Sequence, residues 1–201
     1  VWCAKRIKGV PLAYLSGVRG FYKSDFLVEP GVLIPRPETE HVIEVALSRI
    51  LEHGIQVKTL ADLGCGSGCL GLSLTQEIPG SRLVAVDSSP VAIRVTRRNS
   101  VSLGLEQWVE TVESSVENYI PSQNFDVVVA NPPYIAEGDS RVQASVDQYE
   151  PHAALYSGAD GLDAFRAWIP WAYKYLKPGG LWVCEIGAGQ KDQVQAIMSA
   201  S

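Results

Sequence analysis

The sequence has no apolar run that approaches the roughly 18 residues needed to cross a bilayer. Its opening stretch also lacks the charged, apolar and small-residue order of a secretory signal. These absences point to a cytoplasmic protein with no membrane partner. Cysteine is scarce: Cys3, Cys65, Cys69 and Cys184 are too few and too scattered for a disulfide framework, and no pairing with His41, His53 or His152 has a recognised zinc spacing. Reduced thiols and no metal are expected. Positive charge is short as well, with 17 Lys and Arg against 22 Asp and Glu and a net charge of -5. That balance disfavours an overall electrostatic grip on nucleic acid. Internal repeats and low-complexity tracts are missing too.

What remains is a globular composition, 46% apolar and 19% charged over 201 residues, enough for one domain with a sizeable core. The stretch to Gly20 has no strong periodicity and Gly20 to Pro37 resists a simple assignment. Residues 1–36 are therefore expected to form a linker and amino-terminal extension, in a chain that begins inside a longer gene product. From Pro37, apolar residues Val42, Ile43, Ala46, Leu47, Ile50 and Leu51 recur at helical spacing, with Gly54 as the stop. Strands and helices then alternate: strand Val57 to Leu63, helix Ser67 to Gln76, strand Arg82 to Val86, helix Pro90 to Leu103 capped by Ser89. Further strands are expected at Trp108 to Val112, Phe125 to Ala130 and Leu181 to Ile186, the last entered through a Lys177-Pro178-Gly179-Gly180 turn. A helix over Leu162 to Leu176 must absorb Pro170, and the final helical segment is Lys191 to Ala200.

This pattern is α/β, a doubly wound, mostly parallel sheet of order 3-2-1-4-5 with helices on both faces. Such a sheet binds its ligand where the winding reverses, so the loops after Leu63 and after Ala130 are predicted to face one crevice. In the first loop, Gly64, Gly66 and Gly68 alternate with Cys65 and Ser67 where a strand turns into a helix, which lets backbone approach a ligand and present amides to it. Asp87 ends the second strand, about 20 residues on, placed to accept from both ribose hydroxyls of a nucleoside. The frame Gly66, Gly68, Gly71 also satisfies a dinucleotide fingerprint, but it would set Asp62 beside a pyrophosphate, which is unfavourable for an unpaired acid. A cofactor with a cationic amine and a sulfonium suits Asp62 better, and S-adenosylmethionine has both.

The second loop, Asn131-Pro132-Pro133-Tyr134, follows the central strand directly. Its prolines stiffen the backbone and remove donors, leaving the Asn131 side chain and the Pro132 carbonyl as acceptors matched to a planar NH2 group, with the Tyr134 ring as a flat surface beside it. An amide nitrogen is a poor nucleophile because its lone pair is delocalised, so a catalyst must orient it and accept its hydrogens as charge develops. Asn131, Pro132 and Tyr134 are the candidate catalytic residues, and with Pro133 they form the candidate substrate clamp.

With these residues in view, the glycine loop and Asp87 resemble those of class I S-adenosylmethionine-dependent methyltransferases, and Asn131-Pro132-Pro133-Tyr134 resembles their amino-methylating branch. The block from Gly31 to Glu40, Tyr149-Glu150-Pro151 and Glu185-Ile186-Gly187 are similar to the peptide chain release factor glutamine N5-methyltransferases along almost the whole chain. The resemblance implies transfer of a methyl group to the glutamine side-chain nitrogen of a Gly-Gly-Gln tripeptide in a translation release factor, by a monomer that does not bind nucleic acid directly. It further implies that Gly64, Cys65, Gly66, Ser67 and Gly68 surround the methionine part of the cofactor. By the same likeness Asp87 holds the ribose, Thr39 lies near the methionine end with Asn131 adjoining, and Ser115 and Val116 lie beside the adenine. Arg36 and Glu40 would order the wall around Thr39.

Departures from the family pattern occur at Ser114-Ser115-Val116, where an acid and a bulky residue are usual, and at His152, where Arg is frequent. A helical amino-terminal domain and the last two strands of the family are also missing from this chain, so residues 37–201 are expected to be a partial methyltransferase domain. Three other readings share the loops: a ribosomal protein glutamine methyltransferase, a DNA adenine-N6 methyltransferase, and a catalytically inactive cofactor-binding module. Pro35 to Glu40 favours release factors over ribosomal protein, the charge balance opposes DNA, and Asn131 with Tyr134 favours catalysis.

Overall fold

In the computed structural model, which describes residues 2–201, the expected alternation of strands and helices becomes a five-stranded parallel sheet. The elements in chain order are α1 (Trp2–Ile7), α2 (Leu12–Ser16), β1 (Val18–Phe21), β2 (Ser24–Leu27), α3 (Glu40–His53), β3 (Thr59–Leu63), α4 (Cys69–Glu77), β4 (Arg82–Asp87) and α5 (Pro90–Ser102). They continue with β5 (Val109–Glu113), β6 (Phe125–Ala130), α6 (Ala144–Tyr149), α7 (Asp163–Tyr175), β7 (Leu176–Cys184) and α8 (Lys191–Ala200). Strands lie in the order β5-β4-β3-β6-β7, which is the doubly wound 3-2-1-4-5 arrangement. Side chains alternate across the central strands. Leu60, Leu83, Val127 and Val129 pack on one face with α3 and α4, while Ala61, Leu63, Val84, Val86, Val128 and Ala130 pack on the other with Trp171 and Ala172 of α7.

Register decides where the site forms. In the β3–β6 pair Leu60 faces Val127 and Leu63 faces Ala130, so these two strands end level with each other. Leu63 also faces Val86 of β4, which brings the end of that strand alongside.

Several boundaries differ from the sequence reading. β3 begins at Thr59 rather than Val57, because the amides of Lys58 and Thr59 both donate to the Asp126 carboxylate at 2.9 Å. Ser67 is outside α4, which starts at Cys69 behind Gly68, and Trp108 ends a short 3-10 turn before β5. The Lys177 to Gly180 segment lies inside β7 as an irregularity rather than before it: Leu176 pairs with Phe125 and Leu181 with Val127, while β7 ends at Cys184. α7 continues through Pro170, whose missing donor falls on the solvent side of the helix. Residues 2–36 carry regular structure of their own. β1 and β2 form an antiparallel hairpin anchored by Asn99, whose Oδ1 accepts from the Leu27 amide at 2.8 Å and whose Nδ2 donates to the Leu27 carbonyl at 3.1 Å.

The irregularity in β7 carries Lys177 to Asp126, with Nζ 2.9 Å from Oδ1. Desolvation acts to raise the Asp126 pKa, but the bonds from Lys177, Lys58 and Thr59 outweigh it and hold the carboxyl below its ordinary value. Its contribution to stability is therefore present above the ordinary carboxylate range and lost as pH falls through the depressed value. Asp126→Ala strands those donors, and a loss of roughly 2–4 kcal/mol is expected. Urea unfolding at neutral pH checks this, as a lowered midpoint at constant slope.

Candidate active site

The cleft opens at the carboxyl ends of β3, β4 and β6, with a volume of about 280 Å³. Thr39, Gly64, Cys65, Gly66, Ser67, Asp87, Ser115, Val116, Asn131 and Pro133 all line it. Ser67 and Asn131, from the two loops predicted to converge, thus share one cavity. A second hollow of about 110 Å³ is lined by Pro132 and Tyr134, and Asn131, Leu33, Arg36 and Ala154 border both. Gly68 lines neither. It sits at φ 79° ahead of α4, where an added Cβ would come within 2.9 Å of Leu72 and Thr96, so its smallness serves packing behind the loop.

The glycine loop is held from inside. The amides of Gly64 and Cys65 donate to the Val86 carbonyl at 2.9 and 3.0 Å, that of Gly66 to Asp87 Oδ2 at 2.9 Å and that of Gly68 to the Cys65 carbonyl at 2.7 Å. These four amides are committed within the protein, which leaves the Ser67 amide as the loop's unpartnered donor among the described residues. What the loop contributes is close approach and that one amide. The Ser67 Oγ is sealed behind the cleft surface, so it is the Ser67 backbone that faces a ligand. At Gly64, a Cβ would stand 2.6 Å from Cη2 of Trp168, so only glycine admits that ring against the loop.

Two acids give the cleft its electrostatic character. Asp62 is buried and accepts from the Gly71 amide at 2.9 Å. Burial pushes its pKa up to about 7, opposed by the Gly71 amide and aided by the charge of Asp87. Asp87 is held at both oxygens, by the Gly66 amide and by the Ser89 amide at 2.8 Å, and burial raises its pKa against those two bonds. No lysine lines the cleft among the described residues, and Arg36 is paired with the buried Glu150 at 2.5 Å. The lining therefore suits a cationic ligand with hydroxyls and opposes a pyrophosphate.

Around Asn131 the side chains form a chain of hydrogen bonds. Asn131 Nδ2 lies 3.1 Å from Thr39 Oγ1, Thr39 Oγ1 donates to Glu185 Oε2 at 2.6 Å, and the Tyr134 hydroxyl donates to Glu185 Oε1 at 2.9 Å. Burial, then the Glu185 charge, raises the Tyr134 pKa, so the phenol stays a donor. Glu150 Oε2 accepts from the Ile34 amide at 3.0 Å, joining the 31–36 segment to the Tyr149-Glu150-Pro151 segment across the cleft. Glu40 does not reach this wall. It accepts from the Tyr22 amide at 3.0 Å and so holds the turn of the β1–β2 hairpin.

Trp168 and Glu117 line the cleft without having been singled out from sequence. Trp168 lies on an amphipathic helix where an aromatic residue reads as core, and its Nε1 reaches Glu117 at 3.3 Å. Glu185 was named from sequence only within the Glu185-Ile186-Gly187 likeness and expected inside a strand; it stands just past the end of β7 at Cys184.

The sequence pattern of the methyltransferase small domain family matches residues 42–149. A release factor glutamine methyltransferase of Koribacter versatilis is 40% identical over 97% of this chain and 69% of its own length. One from Geobacter sulfurreducens is 42% identical over 98% of this chain and 67% of its own. Among solved structures, a ribosomal protein L11 methylase of Lactobacillus delbrueckii superposes with a TM-score of 0.60 at 17% identity, covering 86% of this chain and 72% of that one. At that identity the likeness is one of fold.

Proposed function

We propose, from the premise that this chain belongs to the release factor glutamine methyltransferases, methyl-transferring enzymes of the class I fold, that it carries a methyl group from S-adenosylmethionine to the side-chain nitrogen of the glutamine in a release factor's Gly-Gly-Gln tripeptide. The observation that supports this most is the single cleft lined by both the glycine loop and Asn131. A ligand with a cationic amine and a ribose fits the residues present, namely the unpartnered Ser67 amide, the acids Asp62 and Asp87, and a lining without lysine among the described residues.

S-adenosylmethionine supplies an electrophilic methyl group on a sulfonium. Asp87 would hold the ribose hydroxyls, Asp62 the ammonium, and Ser67 a polar atom of the methionine part, while Ser115 and Val116 border the base. On the acceptor side, Asn131 Oδ1 and the Pro132 carbonyl take the two hydrogens of the substrate amide. That aligns its nitrogen and stabilises the positive charge that grows on it. The Tyr134 ring, pinned by Glu185, walls the adjoining hollow. No general base stronger than water is required, because the proton leaves an alkylated amide nitrogen that is acidic.

Radiolabelled S-adenosylmethionine offered with release factor, ribosomal protein and DNA in separate reactions tests the reading. Label on the release factor glutamine supports it. Label on ribosomal protein or DNA alone reassigns the substrate, and binding of the cofactor without label on any of them refutes catalysis.

The raised pKa of Asp62 adds a pH prediction. A neutral Asp62 is tolerated by its buried site and a charged one is not, so stability of the free protein falls as pH rises from the ordinary carboxylate range to about 7. A cationic ligand reverses the preference. Cofactor affinity should climb by up to about tenfold per pH unit below about 7 and level off above it. Calorimetry across pH checks this, and Asp62→Asn should flatten the slope.

A further inference from the structure

We infer that Glu185 is a positioning residue that sets which end of the Asn131 amide faces the substrate. This role rests on the reading of Asn131 as the amide acceptor and follows from the number of hydrogens available. A carboxylate only accepts, whereas threonine and tyrosine hydroxyls each carry one hydrogen. Glu185 takes both of those hydrogens, with Thr39 Oγ1 at 2.6 Å and the Tyr134 hydroxyl at 2.9 Å. Thr39 then has only lone pairs to turn toward Asn131, 3.1 Å away. Asn131 must answer with its NH2 group, and its Oδ1 is left for the cleft.

The polarity matters because the two ends of an asparagine amide are nearly the same in shape and opposite in function. An Asn131 turned the other way would set its own NH2 against the substrate NH2, donor against donor. Nothing in residues 131–134 alone prevents that turn. The choice is made by a carboxylate one residue past the end of β7, acting through a threonine that is 2% exposed. The Glu185 backbone is itself fixed, its amide donating to the Ala130 carbonyl at 3.0 Å, directly before Asn131.

Glu185→Gln keeps the size of the side chain and removes the rule. A glutamine amide offers one donor and one acceptor, so Thr39 regains the freedom to donate to Asn131 Oδ1. Turnover is expected to fall about tenfold, with affinity for S-adenosylhomocysteine within about twofold of the parent. Affinity for a Gly-Gly-Gln peptide, measured by calorimetry with S-adenosylhomocysteine present, should fall along with turnover. In a Thr39→Val background the relay is already cut, so adding Glu185→Gln should change turnover by less than about twofold.

The side-chain amide resonances of Asn131 in the free protein, assigned by their loss in Asn131→Ala, read the same polarity without substrate. One amide proton should be hydrogen-bonded and slow to exchange in the parent, and both should exchange fast in Glu185→Gln and Thr39→Val. If Glu185→Gln leaves those resonances and turnover at parental values, or if its effect multiplies fully with Thr39→Val, the inference is overturned. Should the parent methylate no glutamine while the resonances behave as expected, the proposed function fails and the positioning role stands.

Discussion

Asn131→Ala is expected to lower turnover by roughly two to three orders of magnitude while affinity for S-adenosylmethionine stays within about threefold. The asymmetry follows from what Asn131 touches. Its Nδ2 is bound to Thr39, which leaves Oδ1 as the group available to a substrate amide. An acceptor that meets a nitrogen losing its planarity is worth more as positive charge appears than before it does, so its removal falls on kcat. The cofactor pocket retains Asp87, Ser67 and the glycine loop in this variant. Steady-state kinetics with release factor, alongside calorimetry with S-adenosylhomocysteine, separates the two quantities. Unchanged turnover would defeat the amide clamp, and equal losses in turnover and cofactor affinity would make Asn131 a wall of the cofactor site instead.

Asp87→Ala should show the opposite profile, an affinity for S-adenosylmethionine reduced by roughly two orders of magnitude or more, with turnover at saturation much less affected. Two hydroxyl bonds to a charged acceptor account for that size. A second contribution comes from the protein side, because Asp87 also receives the Gly66 and Ser89 amides at 2.9 and 2.8 Å and so ties the glycine loop to the start of α5. Asp87→Asn should lie between, since one of those amides would meet an NH2 group instead of an oxygen. Calorimetry on the three proteins measures the series. Affinity unchanged in Asp87→Ala would remove the ribose assignment.

The strand order and the meeting of the two loops were legible because both derive from local signals: apolar strands, helical periodicity, and glycine or proline at the turns between them. Asp87 was legible for the same reason, as an acid ending a strand next to a glycine loop. The β1–β2 hairpin was not, since its turn runs through Tyr22 at φ 52° and carries neither glycine nor asparagine to announce it. The use of three of the glycine-loop amides was also hidden, because their partners, Val86 and Asp87, become neighbours only once β4 lies beside β3. The same holds for the wall of the site. Thr39 meets Glu185 and Arg36 meets Glu150 across more than a hundred residues of chain. Such pairs are products of topology, and motif spacing within one segment cannot report them. Trp168 shows the converse case, a residue whose local pattern is that of an ordinary helix and whose place at the cleft depends on Gly64 lacking a side chain.

The direct pairing of Leu63 with Ala130 has a mechanical consequence. The glycine loop and the Asn131 loop hang from adjacent rails of the central ladder, so their lateral offset is as stiff as the backbone bonding between those rails. Sliding one relative to the other would mean tearing the middle of the sheet. The facing side is joined differently: Arg36 and the Ile34 amide both meet the carboxylate of Glu150, so one side chain ties two irregular segments together. The two loops are thus fixed to each other by sheet pairing, and the wall opposite them by the contacts of a single carboxylate.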